Sequence, residues 1–153
     1  MTRRLVALFA LVGLACGGGA KPSAPAPDDP NVALASFLAA VKGRNLDRMG
    51  AFWGTERGPA VTWMEPVTLN QRLTVIQRYL SHTASRVIEG PMAVPGEPNQ
   101  RTYRVELTRE QCVRVIPFDL VRVRSGGWVV SDVHLEQAGR AVGPCATEPG
   151  TRD

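Results

Sequence analysis

Residues 112–135, CVRVIPFDLVRVRSGGWVVSDVHL, decide the fold of this chain. Apolar and polar residues alternate over Cys112–Arg124 and again over Trp128–Leu135, and this period of two indicates β-strands. Gly126-Gly127 between the two runs predicts a two-residue hairpin turn. In the first run the apolar residues change phase around Pro117, which predicts a β-bulge there. The stretch therefore predicts an antiparallel hairpin of two long strands.

The two glycines also set the register that we expect for this hairpin. If Ser125 faces Trp128, cross-strand partners share a side of the sheet, and one side collects the large apolar residues. We expect that side to face the core. Its expected pairs are Leu120 with Val133 and Phe118 with Leu135.

The same register brings three polar residues together on the opposite side of the hairpin: Asp119, Asp132 and His134. A carboxylate beside an imidazole is an arrangement that orients a general base. Because the other side is the more apolar one, we expect this trio on the outer, solvent-facing side of the sheet or at a contact between two copies. We assign the trio no catalytic role and predict no metal site.

Upstream of the strands, the apolar residues recur at helical spacing. A first helix is predicted to begin at Asn31 as its N-cap and to end at Gly43, and a second, short helix covers Leu46–Trp53 before Gly54. A third helix, capped by Thr68, has the clearest pattern of the chain. Its buried face is predicted to consist of Leu69, Leu73, Ile76 and Leu80.

The remaining segments predict short strands and loops. Ala60–Met64 is expected as a short strand, and Arg86–Val94 as a strand interrupted at Gly90-Pro91, which indicates a bulge or an edge position. Pro95–Gln100 is expected as a loop. Thr102–Thr108 alternates cleanly, with three apolar residues on one side: Tyr103, Val105 and Leu107.

Three helices followed by an antiparallel meander define an α+β fold. Lys42–Asp47, where the first two helices meet, and Ser125–Val130, at the last hairpin, resemble turns of the NTF2-like superfamily. The resemblance implies a cone over residues 31–142, with about three N-terminal helices packed on a curved antiparallel sheet of four or more strands. A cystatin-like fold with one helix is the alternative, and it leaves the second and third helical stretches unexplained.

The NTF2-like superfamily includes ketosteroid isomerase, in which a carboxylate base and a tyrosine act inside an apolar cone. Tyr103 is the strand tyrosine of this chain, but the sequence places no carboxylate beside it, so no catalytic residue is transferred. We expect Tyr103 in the core with its hydroxyl at the rim. Trp53 and Trp63 either line a ligand pocket at the open mouth of the cone or pack against the third helix.

The N-terminus predicts export. Arg3 and Arg4 precede the apolar run Leu5–Ala15, which is typical of a signal peptide and too short for a membrane span of about 20 residues. Val12–Cys16 resembles the bacterial lipobox, which implies cleavage before Cys16 and acylation of its thiol and amine. The alternative is an ordinary signal peptide, cut near Gly19 or Ala20.

The chain thus divides into a signal peptide (1–15), the lipidated cysteine with a flexible Pro/Gly/Ala linker (16–30), the NTF2-like domain (31–142) and a tail (143–153). Beyond residue 16 the chain has 16 Lys+Arg (18 less Arg3 and Arg4) against 14 Asp+Glu, a balance that argues against nucleic acid as a partner. Cys112 and Cys145 are predicted to form a disulfide in an oxidising compartment, the alternative being two unrelated thiols.

These features predict a membrane-anchored lipoprotein of the bacterial cell envelope. Gly17 after the cysteine resembles lipoproteins that reach the periplasmic side of the outer membrane. We expect a non-enzymatic binding or assembly module without a cofactor. One alternative is a small isomerase- or hydrolase-type enzyme that uses the cone, and another is a module that pairs its sheet face with a protein partner or a second copy.

Overall fold

Residues 25–139 are the part of the chain that the computed structural model describes, and three helices there pack on one antiparallel sheet. The helices are α1 (Pro30–Lys42), α2 (Leu46–Phe52) and α3 (Pro66–Leu80). A small ladder is formed by β1 (Gly54–Thr55) and β2 (Gly58–Pro59). The sheet contains, in spatial order, β3 (Ala84–Val94), β4 (Glu97–Arg109), β5 (Cys112–Arg122) and β6 (Trp128–Val133). The predicted α+β fold of three helices on a four-stranded sheet is confirmed. Among residues 25–139, no helix has the length and apolar character needed to cross a bilayer.

The helices and the inner side of the sheet enclose one apolar core. Phe37 of α1 meets Phe118 of β5 edge to face, with ring centroids 6.4 Å apart. The predicted faces of α3 and of β4 are buried, as expected. However, α1 packs most against α2 and, within the sheet, against β6, while α3 packs mainly against α2 rather than across the sheet. The core-lining side chains that are fully buried include Leu34, Val41, Met49, Leu80, Tyr103, Val105, Ile116 and Leu120.

Both long helices begin earlier than the sequence predicts, because each has proline as its first residue. Asp29, not Asn31, is the N-cap of α1, and its carboxylate accepts a hydrogen bond from the Asn31 N–H at 2.8 Å. Glu65, not Thr68, caps α3 by accepting from two backbone N–H groups, which lowers the pKa of its carboxyl. Proline has no backbone N–H, but the N–H of the first helical residue has no partner within the helix, so proline is tolerated at that position. The caps therefore stand before the prolines.

Two short segments also differ from prediction. Ala60–Thr62 is a 3₁₀ turn rather than a strand, and it follows directly on β2. The expected loop Pro95–Gln100 shrinks to a tight turn at Pro95-Gly96, where Gly96 has φ +80°. That conformation is open to glycine at little cost, so β3 and β4 form a long hairpin.

The register predicted for the β5–β6 hairpin is wrong. Its turn is longer than two residues, because the Val123 N–H donates to the Gly127 carbonyl and Arg124–Gly126 form the loop. The bulge lies in β6 at Ser131, not at Pro117, and the β4–β5 ladder continues past Pro117 without a shift. The observed pairs include Arg122 with Trp128, Leu120 with Val130 and Phe118 with Val133.

β3 is the edge strand of the sheet and remains uncovered. Its residues from Ala84 to Pro91 are exposed on both sides. The predicted interruption is confirmed, since the register of β3 against β4 shifts twice between Val87 and Met92. Irregularity of this kind discourages an exposed edge from pairing with other chains.

The end of the predicted linker belongs to the folded unit. Pro27 accepts a hydrogen bond from the Trp128 N–H at 2.7 Å. Ala26 packs on a small apolar cluster on the outer side of the sheet. The chain is therefore fixed along β6 before α1 begins. The cluster consists of Val121, Val123 and Val129.

Candidate functional site

A groove lies between α1 and the uncovered strand β3, and we call it the α1–β3 groove. Its volume is about 320 Å³, within the range of pockets that hold small molecules. Leu34 and Leu38 form its floor, and Val87 of β3 contributes the opposite wall. Ala35 and Ala39 complete the α1 side. Because both alanines are small and neighbouring on one helix face, the groove stays open.

The two ends of the α1–β3 groove are polar. Asn31 and Lys42 lie eleven residues apart on α1, which corresponds to about 16 Å along a helix. Ser85 and His82 line the rim on the side of the sheet. None of the described residues that line the groove is acidic. The α1–β3 groove is therefore apolar along its length, with the Lys42 ammonium at one end.

His82 is the one buried residue with an ionisable side chain that lines this groove. Its Nδ1 donates to the Leu80 carbonyl at 2.8 Å. Burial lowers the pKa of the His82 imidazole, and the nearby Lys42 ammonium lowers it further against that hydrogen bond. His82 is therefore neutral at pH 7, and its Nε2 is an acceptor.

The predicted cluster of Asp119, Asp132 and His134 is confirmed as a cluster. One ligand atom from each of the three residues lies within 4.8 Å of the others. Asp119 of β5 pairs directly with Asp132 of β6, and His134 follows immediately after the strand. The His134 Nε2 and Asp119 Oδ2 atoms are 3.0 Å apart, and both side chains are about a third exposed (35% and 27%).

Two further residues support this polar cluster. The Thr102 hydroxyl donates to Asp119 Oδ1 at 2.6 Å, and Glu136 Oε1 lies 3.2 Å from His134 Nδ1. The hydrogen bond to Asp119 is the main reason that the pKa of the His134 imidazole is raised. Neither supporting residue is predicted from the sequence. Thr102 stands directly opposite Asp119 in the β4–β5 ladder, so the register of that ladder is the signal that would have found it.

Tyr103 lies in the core, as expected. Its hydroxyl donates to the Asn31 Oδ1 atom at 3.1 Å, at the start of α1. Burial, followed by the charge of Asp29, raises the pKa of Tyr103 to about 12. The phenol therefore stays protonated and connects the sheet to the first turn of the helix.

Trp53 and Trp63 pack against the core and do not line the α1–β3 groove. Trp53 follows α2 and forms an isolated parallel bridge with Val130. The Trp63 indole donates to the Gly58 carbonyl at 3.0 Å, and Arg57 stacks over its ring at 4.9 Å. Of the two interpretations left open, packing is the one that their contacts favour.

Cys112 begins β5, where it is buried opposite Arg109. Its expected partner, Cys145, and the expected lipidation site, Cys16, both lie outside the described residues. The disulfide and the acylation therefore stay predictions.

Comparison with known proteins gives one structural likeness. No protein-family model matches the chain, and no curated protein sequence matches it. The structure is similar to that of a phospholipid-binding protein from Ralstonia solanacearum in complex with a phospholipid, with a TM-score of 0.37 and 12% identity. The likeness covers 67% of this chain and 73% of the other. Likeness at this level transfers neither a ligand nor a function.

Proposed function

We propose that this chain is a lipid-anchored protein of the bacterial cell envelope whose α+β domain binds an amphipathic ligand with an acidic head group. The observation that supports this proposal is the α1–β3 groove, which combines an apolar floor with the Lys42 ammonium at one end. In this arrangement the hydrocarbon part of the ligand lies along Leu34, Leu38 and Val87. The acidic head pairs with Lys42 at the rim.

The chemistry of the groove argues for an amphiphile rather than for a fully polar ligand. Burial of hydrocarbon contributes about 25 cal/mol per Å² of area removed from water. A single charge–charge contact with the exposed Lys42 contributes less, because solvent screens it. Affinity is therefore expected to come mainly from the apolar channel, and selection of the head group from Lys42.

An isomerase- or hydrolase-type enzyme working inside the cone remains the second candidate, and the filled core weighs against it. Phe37, Tyr103 and Phe118 occupy the space between helices and sheet. A catalytic base inside the cone would have to be buried in the core. Within residues 25–139 the buried polar or charged residue is His82, and it lies at the groove rim. Binding along the groove requires no such base.

Blocking the groove is expected to abolish binding of oleate. In Ala35→Trp a large ring replaces a methyl group that lines the channel, so the hydrocarbon chain has no space. Val32→Trp is the matched control, because Val32 is an exposed residue of the same helix outside the lining. Isothermal titration calorimetry on the chain from Gly17 onwards measures both. Equal affinities for oleate in the two variants would contradict the groove as the site.

Reversing the charge at the rim is expected to separate head-group selection from chain binding. Lys42→Glu should weaken oleate about 5-fold, since an exposed ion pair contributes up to about 1 kcal/mol, and should leave the uncharged oleyl alcohol nearly unaffected. Arg72→Glu, on the exposed side of α3, is the control with the same change in net charge. If both ligands weaken equally in Lys42→Glu, the ammonium does not select the head group.

The proposed anchor is tested independently of the ligand. The native precursor is expected in the membrane fraction of the producing cell, and Cys16→Ser in the soluble fraction. An anchor of two or three acyl chains holds firmly, because each buried CH₂ contributes about 0.8 kcal/mol. Equal partition of both proteins into the soluble fraction would refute the anchor and would leave the proposal of ligand binding in the groove unaffected.

A further inference from the structure

We infer that Asp119, Asp132 and His134 form a binding site for a divalent transition-metal ion, with Zn²⁺ as the best fit. The site lies on the outer side of the sheet, at the end of β6. It is separate from the α1–β3 groove, and no lining residue of the groove belongs to it. The inference is therefore independent of the proposed function.

The spacing of the three donors suits a single ion. Their ligand atoms lie within 4.8 Å of one another. In a tetrahedral zinc site, with bonds of about 2.1 Å, neighbouring ligand atoms are about 3.4 Å apart. The widest separation would have to close by at most about 1.4 Å, whereas His134 Nε2 and Asp119 Oδ2 are already 3.0 Å apart. Three protein ligands leave the fourth position open to water.

The donor set also indicates which metals fit. An imidazole nitrogen suits zinc and its neighbours in the first transition row, whereas magnesium and calcium prefer oxygen ligands alone. His134 therefore favours Zn²⁺ over Mg²⁺. Asp119 and Asp132 supply two carboxylates, and these neutralise the ion.

The surroundings hold each ligand with one donor atom available. Thr102 donates to Asp119 Oδ1, and the Val133 N–H donates to Asp132 Oδ1, so the Oδ2 atom of each carboxylate is the one left for an ion. Asp119 Oδ2 is hydrogen-bonded to His134 Nε2 at 3.0 Å, and an ion at this site would replace that hydrogen bond. Glu136 Oε1 lies 3.2 Å from His134 Nδ1 and favours a proton there, so Nε2 can bind an ion once its hydrogen bond to Asp119 is replaced. A carboxylate behind a histidine is the usual support of a metal ligand.

The balance of charge gives a separate reason to expect a cation. Asp119 and Asp132 are direct cross-strand partners, and like charges in that position destabilise a sheet. Glu136 adds a third carboxylate, so one imidazolium cannot neutralise the group. A divalent ion between the two aspartates would remove the repulsion.

Zinc binding is measured directly on the chain from Gly17 onwards, after dialysis against a chelator. We expect one Zn²⁺ per chain by isothermal titration calorimetry, no binding of Mg²⁺ at the same concentrations, and a higher melting temperature with zinc. His134→Ala and Asp132→Asn should each weaken zinc at least 10-fold. Glu97→Gln, which removes a carboxylate from β4 outside the cluster, should not change it.

The two histidines of the chain give a site-specific readout. Zinc should shift the ring resonances of His134 in an NMR spectrum and leave those of His82 in place, because His82 is buried elsewhere. Melting curves without zinc establish that the variants are folded. The inference is overturned if the folded wild-type chain binds no zinc, if zinc binds His134→Ala with unchanged affinity, or if the His134 resonances do not respond.

Discussion

Replacing Leu73 by alanine is expected to lower the free energy of unfolding by about 2–5 kcal/mol, the range for a leucine removed from a closed core. Leu73 is 1% exposed and lies in the main core cluster. It lies beside Gly50, where a Cβ would come within 3.4 Å of the Leu73 Cδ1 atom. Leu73→Ala therefore leaves a cavity between α2 and α3.

Val75→Ala is the matched control for Leu73→Ala. Val75 lies on the same helix but is 49% exposed, so we expect a loss of less than about 1 kcal/mol. Urea unfolding followed by circular dichroism gives both values. A total stability of about 5–15 kcal/mol makes the difference easy to resolve. Equal losses would show that the apolar face of α3 does not support the fold.

The second large effect is expected at Gly90 in the exposed strand β3. Gly90 has φ +123°, and a Cβ there would lie 2.6 Å from the Tyr103 ring. Gly90→Ala therefore combines an unfavourable backbone conformation with a clash against a buried side chain. We expect a loss of about 2–5 kcal/mol, as the sum of both costs.

Gly96→Ala separates the two contributions. Gly96 also has a positive φ, +80°, but no atom lies within 4 Å of the Cβ that alanine would add. Its substitution should cost only the backbone term, about 1–2 kcal/mol. Thermal and urea unfolding of both variants tests this. If Gly96→Ala costs as much as Gly90→Ala, contact with Tyr103 is not what requires glycine.

The features that the sequence predicts correctly are those that depend on local periodicity. The buried face of α3 follows from its apolar spacing, and the buried side of β4 follows from strict alternation. A helix repeats about every 3.6 residues and a strand every 2, so the spacing of the apolar residues identifies the face that is buried. The start of α1 was missed by two residues, because a cap before a proline competes with one after it.

The register of the β5–β6 hairpin depends on a choice that local patterns do not make. Gly126 and Gly127 both have positive φ, +103° and +80°, and such a pair fits a longer turn as well as a two-residue one. The longer turn moves Val130 from the expected outer side into the core. The bulge at Ser131 then restores the alternation.

The polar cluster was predicted correctly although the predicted register is wrong, because two errors in that register cancel. Two displacements, one at the turn and one at the bulge, leave Asp119 and Asp132 on the same side as expected. The α1–β3 groove was not predicted, because it depends on which strand the helices leave uncovered. That outcome is set by the packing of α1 towards β6, a long-range contact without a local signal.

The packing of Ala26 and Pro27 along β6 shortens the linker between a membrane anchor at Cys16 and the folded domain. Nine residues separate Cys16 from Ala26. At about 3.1 Å per residue their reach is about 28 Å. The attachment point is also eccentric, since β6 and β3 are opposite edges of the sheet, about 14 Å apart at strand spacing. An acylated chain would therefore be attached to the membrane at its β6 edge, and the α1–β3 groove would lie on the side of the domain farther from the attachment point.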